Sequence, residues 1–112
     1  MTLLSFHNEQ SIKDTYVARV RVHAEADEIV KRKYWQGGQG CAVGCTIHGS
    51  DHSEYESQLG LPEWLGHAED PIFEGLPNAR AKRFPLKFLE AIPVTFSREF
   101  CLRDPAFWIH HL

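Results

Sequence analysis

Long apolar segments are missing from the sequence and cysteines are few, and both shortages exclude classes of protein. The 112 residues include three cysteines, an odd and small number that argues against the disulfide framework of small secreted domains. No window reaches the roughly 18 apolar residues of a membrane-spanning helix. The opening segment MTLLSFHNEQ lacks the basic start and apolar core of a signal peptide. We therefore predict a cytoplasmic, bacterial-type protein.

Excess positive charge is also missing. The formal net charge is −3, so no overall attraction to nucleic acid or to an anionic membrane is expected. Two short basic clusters, residues 31–33 and residues 80–83, are interpreted as solvated surface. We predict neither a nucleic-acid partner nor a membrane partner.

Alternation of apolar and polar residues is nearly absent, which disfavours a fold based on sheets. With 43% hydrophobic residues, a chain of this length can bury one core. The fold is predicted to be all-α: a compact single domain over residues 1–112, with one long N-terminal helix and several short helices.

Apolar residues recur at steps of three and four from residue 10 to residue 35, which predicts one continuous helix. Asn8 is its expected N-cap, and Gly37 with Gly38 is its expected end. Two short helices are expected next, over residues 40–48 and from Asp51 to Gly60, the second with a capping box at its start.

Prolines are expected to set the remaining boundaries. The predicted elements are a helix that opens at Pro62 and is kinked or restarted at Pro71, a helix that opens at Pro85 and closes at Pro93, a weak strand over residues 94–96 and a last apolar turn over residues 105–109.

The segment GGQGCAVGCTIHGSDH, residues 37–52, combines glycines with possible ligands. Its small residues favour packing, since glycine inside a helix is costly unless another backbone approaches closely, and free cysteine packs like a small apolar residue. If the segment binds a ligand instead, the glycines before a helix could hold an anion. The candidate binding residues are Gly38, Gly40, Cys41, Cys45, His48 and Trp35.

Two kinds of chemistry remain as alternatives for this segment. In the first, Cys41 at a helix N-terminus has a lowered pKa, with His23 or His48 as base and Asp27 as the residue that orients the base. In the second, a zinc ion takes side chains from two parts of the chain, because one helix supplies at most a pair of ligands. The possible zinc ligands are Cys41, Cys45, His48, His52 and His23. No cofactor is otherwise predicted. Glu69 and Asp70 are interpreted as helix-end charges or as partners for Arg80 or Lys82.

Several motifs together resemble an uncharacterised family of small bacterial proteins with a Gly-x-Gly-Cys-Ala-Val-Gly-Cys-Thr-x-His core. The matching segments are ARVRVHAEADEIV, GQGCAVGCTIHGSDHSEYESQLGLPEWL, EDPIFEGLPNARAK and FPLKFLEAIPV. The sequence departs from the family at Pro71 and after Val94, where family members run longer, so the resemblance implies a short member or one that lacks a C-terminal extension. It implies no established activity, and such proteins also occur in mobile gene cassettes.

Large aromatic residues are more numerous than a core of this size needs, which indicates an interface. The rings in question are Tyr34, Trp35, Trp64, Phe107 and Trp108. We therefore predict a non-catalytic helical module for binding or self-association, present as a homo-oligomer, with a protein partner or a small ligand as further possibilities. The alternative is a small enzyme or metal-dependent protein that uses the Cys and His residues.

Overall fold

A computed structural model describes residues 4–94. After one 3₁₀ turn at Ser5–Asn8, its five helices are α1 (Gln10–Glu25), α2 (Ala42–Ile47), α3 (Glu54–Leu59), α4 (Glu63–Gly75) and α5 (Asn78–Ala91). Within the described part, β-structure is confined to isolated bridges. The predicted all-α class and the compact arrangement of one longer N-terminal helix with shorter ones are confirmed. None of the described helices is both long enough and apolar enough to cross a membrane.

Helix α1 is ten residues shorter than the sequence pattern predicts, because it ends at Glu25 instead of residue 35. Asp27 and Arg32 have left-handed backbones, with φ of 56° and 71°, which a continuous helix does not allow. At the other end the N-cap is Glu9, whereas the predicted cap Asn8 belongs to the 3₁₀ turn.

Residues 26–41 instead form an irregular segment, which we call the 26–41 loop. Backbone hydrogen bonds fix it, from Val30 N–H to the Gly40 carbonyl at 2.8 Å, from Gly40 N–H to the Glu28 carbonyl at 3.0 Å and from Cys41 N–H to the Lys33 carbonyl at 2.8 Å. Because its ends are tied together in this way, the loop is a defined structure without being a helix.

The short helices α2 and α3 are close to the predicted ones. Cys41 is the N-cap of α2, and its sulfur accepts a hydrogen bond from the Gly44 N–H at 3.5 Å. Helix α3 ends as expected at Gly60, whose φ is 67°. Its N-cap is Ser53, and Asp51 stabilises the preceding turn by accepting from the Ser53 N–H at 3.0 Å.

The predicted helix start at Pro85 is wrong, and α4 does not restart at Pro71. Helix α4 runs through Pro71, and helix α5 begins at Asn78 with Pro85 inside it. A proline inside a helix costs about 3 kcal/mol, but both helices continue because each buries large apolar residues beyond its proline: Phe73 in α4, and Phe88 and Leu89 in α5. Pro62 is the N-cap of α4, and α5 ends before Pro93 as predicted.

The core surrounds α2, all six of whose residues are buried. Helices α1, α3, α4 and α5 all contact it. Helix α1 lies at the surface and buries one side chain completely, that of Val20. Thr95 to Phe96 of the predicted strand, the predicted turn over residues 105–109 and the predicted C-terminal extension lie outside the described residues.

Candidate functional site

The glycines of the 37–52 segment allow α2 to pack directly against the backbone of the 26–41 loop. A Cβ atom at Gly44 would lie 1.3 Å from the carbonyl oxygen of Tyr34, and one at Gly40 would lie 1.9 Å from the same atom. No side chain fits at either position. The predicted close packing is therefore observed, although the neighbour is loop backbone and not another helix.

The thiols of Cys41 and Cys45 are free and buried. Burial raises the pKa of Cys41 to about 11 and that of Cys45 to about 12. The hydrogen bond from Gly44 N–H to the Cys41 sulfur acts in the opposite direction but is the smaller effect. The prediction that the helix N-terminus lowers the pKa of Cys41 is wrong, because loss of hydration outweighs the helix dipole. Both thiols are protonated at neutral pH.

The residues predicted to share a zinc ion have separate partners. Cys45 donates to the Gly40 carbonyl at 3.3 Å, His48 contacts His23, and His52 contacts Asp70. Among residues 4–94, no group of three or more His, Cys, Asp or Glu side chains is placed to hold one metal ion. The structure therefore divides the three histidines among the predicted ligands between two clusters, and neither cluster includes a cysteine.

The first of these, the His23 cluster, consists of His23, Glu28, Trp35 and His48. The Nδ1 atom of His23 lies 2.8 Å from Glu28 Oε1, and its Nε2 atom lies 2.8 Å from His48 Nε2. Trp35 stacks on the His48 ring at 4.1 Å with 9° between the planes. Burial lowers the pKa of His48, and the nearby charges of Arg19 and His23 lower it further.

Asp27 takes no part in this cluster, contrary to prediction. Because α1 ends before it, Asp27 does not lie one turn below His23, and its exposed carboxylate pairs with Lys82. Glu28, one residue later, contacts His23 instead.

The second cluster centres on Asp70 of α4. Its Oδ2 atom accepts from the Tyr34 hydroxyl at 2.9 Å and from His52 Nε2 at 2.7 Å. The hydrogen bond to Asp70, together with burial, raises the pKa of Tyr34 to about 12. His52 in turn stacks on His67 at 4.0 Å. Within residues 4–94 the side-chain contacts of Asp70 are Tyr34 and His52 and include neither Arg80 nor Lys82, and Lys82 pairs with Asp27 instead.

Glu69, next to Asp70, is completely buried. Its Oε1 atom accepts from the Tyr55 hydroxyl at 2.5 Å, and its Oε2 atom has no hydrogen-bond partner among the described residues. Burial raises its pKa to about 8, so the carboxyl group is mainly neutral at pH 7. Glu69 was interpreted as a helix-end charge or as a partner of Arg80 or Lys82, although its spacing of four from both Leu65 and Phe73 indicates the buried face of α4.

A pocket of about 210 Å³ lies between the 26–41 loop and α4. We call it the Tyr34 pocket, and its lining residues are Arg32, Lys33, Tyr34, Cys41, Asp70 and Glu74. The pocket combines two cations and two carboxylates with an aromatic residue, Tyr34, that is 40% exposed. Sequence reasoning missed it, because its two walls are 29 or more residues apart and no local pattern connects them.

No protein-family model, curated protein sequence or solved structure matches this chain. Its function is therefore argued from its own residues.

Proposed function

We propose that the protein is a non-catalytic helical module that binds another molecule through the Tyr34 pocket. The observation that carries this proposal is the fixed exposure of the Tyr34 ring. Its backbone carbonyl packs against Gly40 and Gly44, and its hydroxyl is bonded to Asp70. An exposed aromatic side chain that is already ordered loses little conformational entropy on binding, and tyrosine is enriched among residues that dominate interfaces.

The position of the pocket supports a binding role. A long loop held on a rigid scaffold is a frequent location of binding residues. Here the buried helix α2 is the scaffold and the 26–41 loop carries Arg32, Lys33 and Tyr34. The 37–52 segment would then act indirectly, by fixing the loop whose side chains make the contacts.

Charges of both signs at the pocket favour a second copy of the chain as the partner. Arg32 and Lys33 lie on the loop, and Asp70 and Glu74 lie on α4. Across a two-fold axis the same surface faces itself, so a patch with both signs can pair cations of one copy with carboxylates of the other. We therefore propose a homo-oligomer, with a protein partner or a small ligand as the alternative occupants.

The chemistry of the predicted catalytic residues supports a non-catalytic role. The Cys41 thiol is buried with a raised pKa, whereas a nucleophilic cysteine needs a lowered one. Among the described hydrogen bonds, Cys41 contacts Gly44, His23 contacts Glu28 and His48, and Asp27 contacts Lys82. The three candidates are not joined as nucleophile, base and orienting group.

The proposal extends to compartment and family. Free thiols at Cys41 and Cys45 support a reducing compartment such as the bacterial cytoplasm. The close packing of α2 against the 26–41 loop accounts for the glycines at positions 40 and 44. Both glycines belong to the segment that resembles the uncharacterised bacterial family, and on this ground we propose that the chain is a member of that family.

The test is the solution mass, measured by light scattering over a range of concentrations up to hundreds of micromolar. The wild type should exceed the 12.8 kDa of one chain at tens of micromolar. Tyr34→Ala should return the mass to that of one chain. The matched control is Val22→Ala, because Val22 is the other large apolar side chain that is exposed in the described part, at 61%, and it lies outside the pocket.

A wild-type mass of one chain at every concentration would rule out self-association. The other occupants are then tested by NMR titration with a fragment library, for which shifts should concentrate at residues 32–34, 70 and 74. Association that Val22→Ala removes and Tyr34→Ala leaves intact would place the interface on α1 and contradict the proposal.

A further inference from the structure

Two imidazole rings from separate elements meet head to head in the His23 cluster. His23 lies in the last turn of α1, and His48 is the C-cap of α2. Their Nε2 atoms are 2.8 Å apart, and their ring centres are 5.0 Å apart. The His48 side of the pair is exposed to solvent, so an ion can reach it.

Glu28 fixes which nitrogen of His23 is available. Its carboxylate cannot donate when ionised, so His23 must donate from Nδ1 across the 2.8 Å contact. The lone pair of a neutral His23 is then on Nε2, the atom that faces His48. A carboxylate on the far nitrogen of a histidine is also the usual support of a metal-binding histidine, because it fixes the ring and makes the ligating nitrogen more basic.

Trp35 holds the rings in place. It stacks on His48 at 4.1 Å and contacts the edge of His23 at 5.3 Å. Both rings are thus positioned before any ligand arrives, which reduces the entropy that binding must overcome.

From this arrangement we infer that His23 and His48 chelate one divalent transition-metal ion of the class that imidazole prefers, namely Cu²⁺, Ni²⁺ or Zn²⁺. The ion replaces the hydrogen bond between the two Nε2 atoms. Of the zinc ligands expected from the sequence, this site uses only His23 and His48, so neither His52 nor a cysteine takes part.

The required movement is small. Two nitrogens that bind one ion at about 2.0–2.1 Å with a tetrahedral angle are roughly 3.3 Å apart, so the Nε2 atoms must separate by about half an ångström. In the neutral pair, the proton that His48 shares with His23 moves from its Nε2 to its Nδ1, and both nitrogens then donate lone pairs to the ion. A pair that carries one extra proton releases that proton when the ion binds.

Water fills the remaining coordination positions. Since no third His, Cys, Asp or Glu of residues 4–94 completes a set, affinity should be moderate and should follow the general order in which Cu²⁺ binds more tightly than Ni²⁺ or Zn²⁺. The ion joins α1 to α2, so it should also stabilise the fold in proportion to its occupancy.

The experiment is a titration of the full chain with each metal salt, read by competition with a chromophoric chelator. His110 and His111 are adjacent near the C-terminus and could bind the same metals, so every variant is made in a His110→Gln, His111→Gln background. His23→Gln and His48→Asn should each weaken binding at least tenfold. Asparagine is chosen at position 48 because it tolerates the left-handed backbone there, with φ of 54°.

His67→Gln is the matched control. His67 also lies beside a carboxylate, with its Nε2 3.1 Å from Glu63 Oε2, and also stacks on a ring, that of His52. Among residues 4–94 it has no second imidazole nitrogen in hydrogen-bond contact, so its replacement should leave metal affinity unchanged. Glu28→Gln tests the positioning role and should weaken binding about 10- to 100-fold.

A second readout uses the unaltered cluster, so it does not depend on whether the variants fold. The side-chain nitrogen resonances of His23 and His48 should shift at Nε2 when Zn²⁺ is added to the unaltered cluster. Binding that His48→Asn and His23→Gln leave unchanged would overturn the inference. So would a loss of affinity shared with His67→Gln, or no shift of either Nε2 resonance in the presence of millimolar Zn²⁺.

Discussion

Replacement of Gly44 by alanine should destabilise the protein strongly. The new Cβ would lie 1.3 Å from the carbonyl oxygen of Tyr34, 2.4 Å from its carbonyl carbon and 3.2 Å from its Cα. All three atoms are backbone, so no rotation of a side chain relieves the overlap, and either α2 or the 26–41 loop must move.

The size of the effect follows from two opposing terms. Alanine in place of glycine favours a helix by about 1 kcal/mol, whereas overpacking costs typically 1–3 kcal/mol and occasionally more. Because the overlap is with backbone, we expect the upper end and a net loss of roughly 2–3 kcal/mol or more in the free energy of unfolding. In a domain of this size that lowers the melting temperature by about 10–20 °C.

The assay is urea and thermal unfolding followed by circular dichroism, with Gly75→Ala as control. Gly75 is the last residue of α4, and a Cβ there has no neighbour within 4 Å in the part of the chain that the structure describes. The control should therefore be unchanged or more stable by up to about 1 kcal/mol. If Gly44→Ala unfolds within about 0.5 kcal/mol of the wild type, a difference typical of neutral surface substitutions, the packing of α2 against Tyr34 is refuted.

Three further predictions concern α4 and its buried carboxyl group. Because the fold raises the pKa of Glu69 from 4.5 to about 8, its stabilising contribution is complete below pH 4.5 and is lost as the pH rises towards 8. The loss is up to about 5 kcal/mol, and Glu69→Gln should remove this part of the pH dependence in urea unfolding. Tyr55→Phe removes the hydrogen bond to Glu69 and should cost about 1–3 kcal/mol in the same assay, whereas no change would show that the bond contributes nothing. Pro71→Ala should stabilise α4 by about 1 kcal/mol or more, and a lower melting temperature would contradict that expectation.

The sequence was sufficient to predict the fold class and the packing of the 37–52 segment, because both depend on local composition. Glycines and cysteines at close spacing indicate a backbone contact whatever the partner is. The partner itself, Tyr34, was not predictable, because that contact is made by a loop that the pattern assigned to α1.

The helical spacing of apolar residues also explains why α1 was predicted to extend to residue 35. Ile29 is buried, at 1% exposure, but it reaches the core from a loop that bridges to Gly40. Helical spacing of apolar residues therefore persists where the helix has ended. The helix end also determines the site, since it separates Asp27 from His23 and leaves Glu28 in contact with it.

Contacts between distant residues account for what sequence reasoning missed in the site. The hydroxyl of Tyr34 and the carboxylate of Asp70 are 36 positions apart, and His23 and His48 are 25 apart. The first pair depends on how α4 meets the 26–41 loop and the second on how α1 meets the end of α2, and no short motif records either contact. Pro71 and Pro85 mislead for a related reason, because apolar burial beyond each proline outweighs the local cost.

The most direct test of whether residues 37–52 are buried packing is the alkylation rate of Cys41 and Cys45 in the folded protein. Mass spectrometry resolves each cysteine separately, and the reaction is run at neutral pH with and without a chelator. Both thiols should remain unmodified in both conditions and react only as denaturant unfolds the chain. Rapid alkylation of Cys41 in the folded protein, or exposure of either thiol by the chelator alone, would contradict the packing and indicate an activated thiol or a metal site.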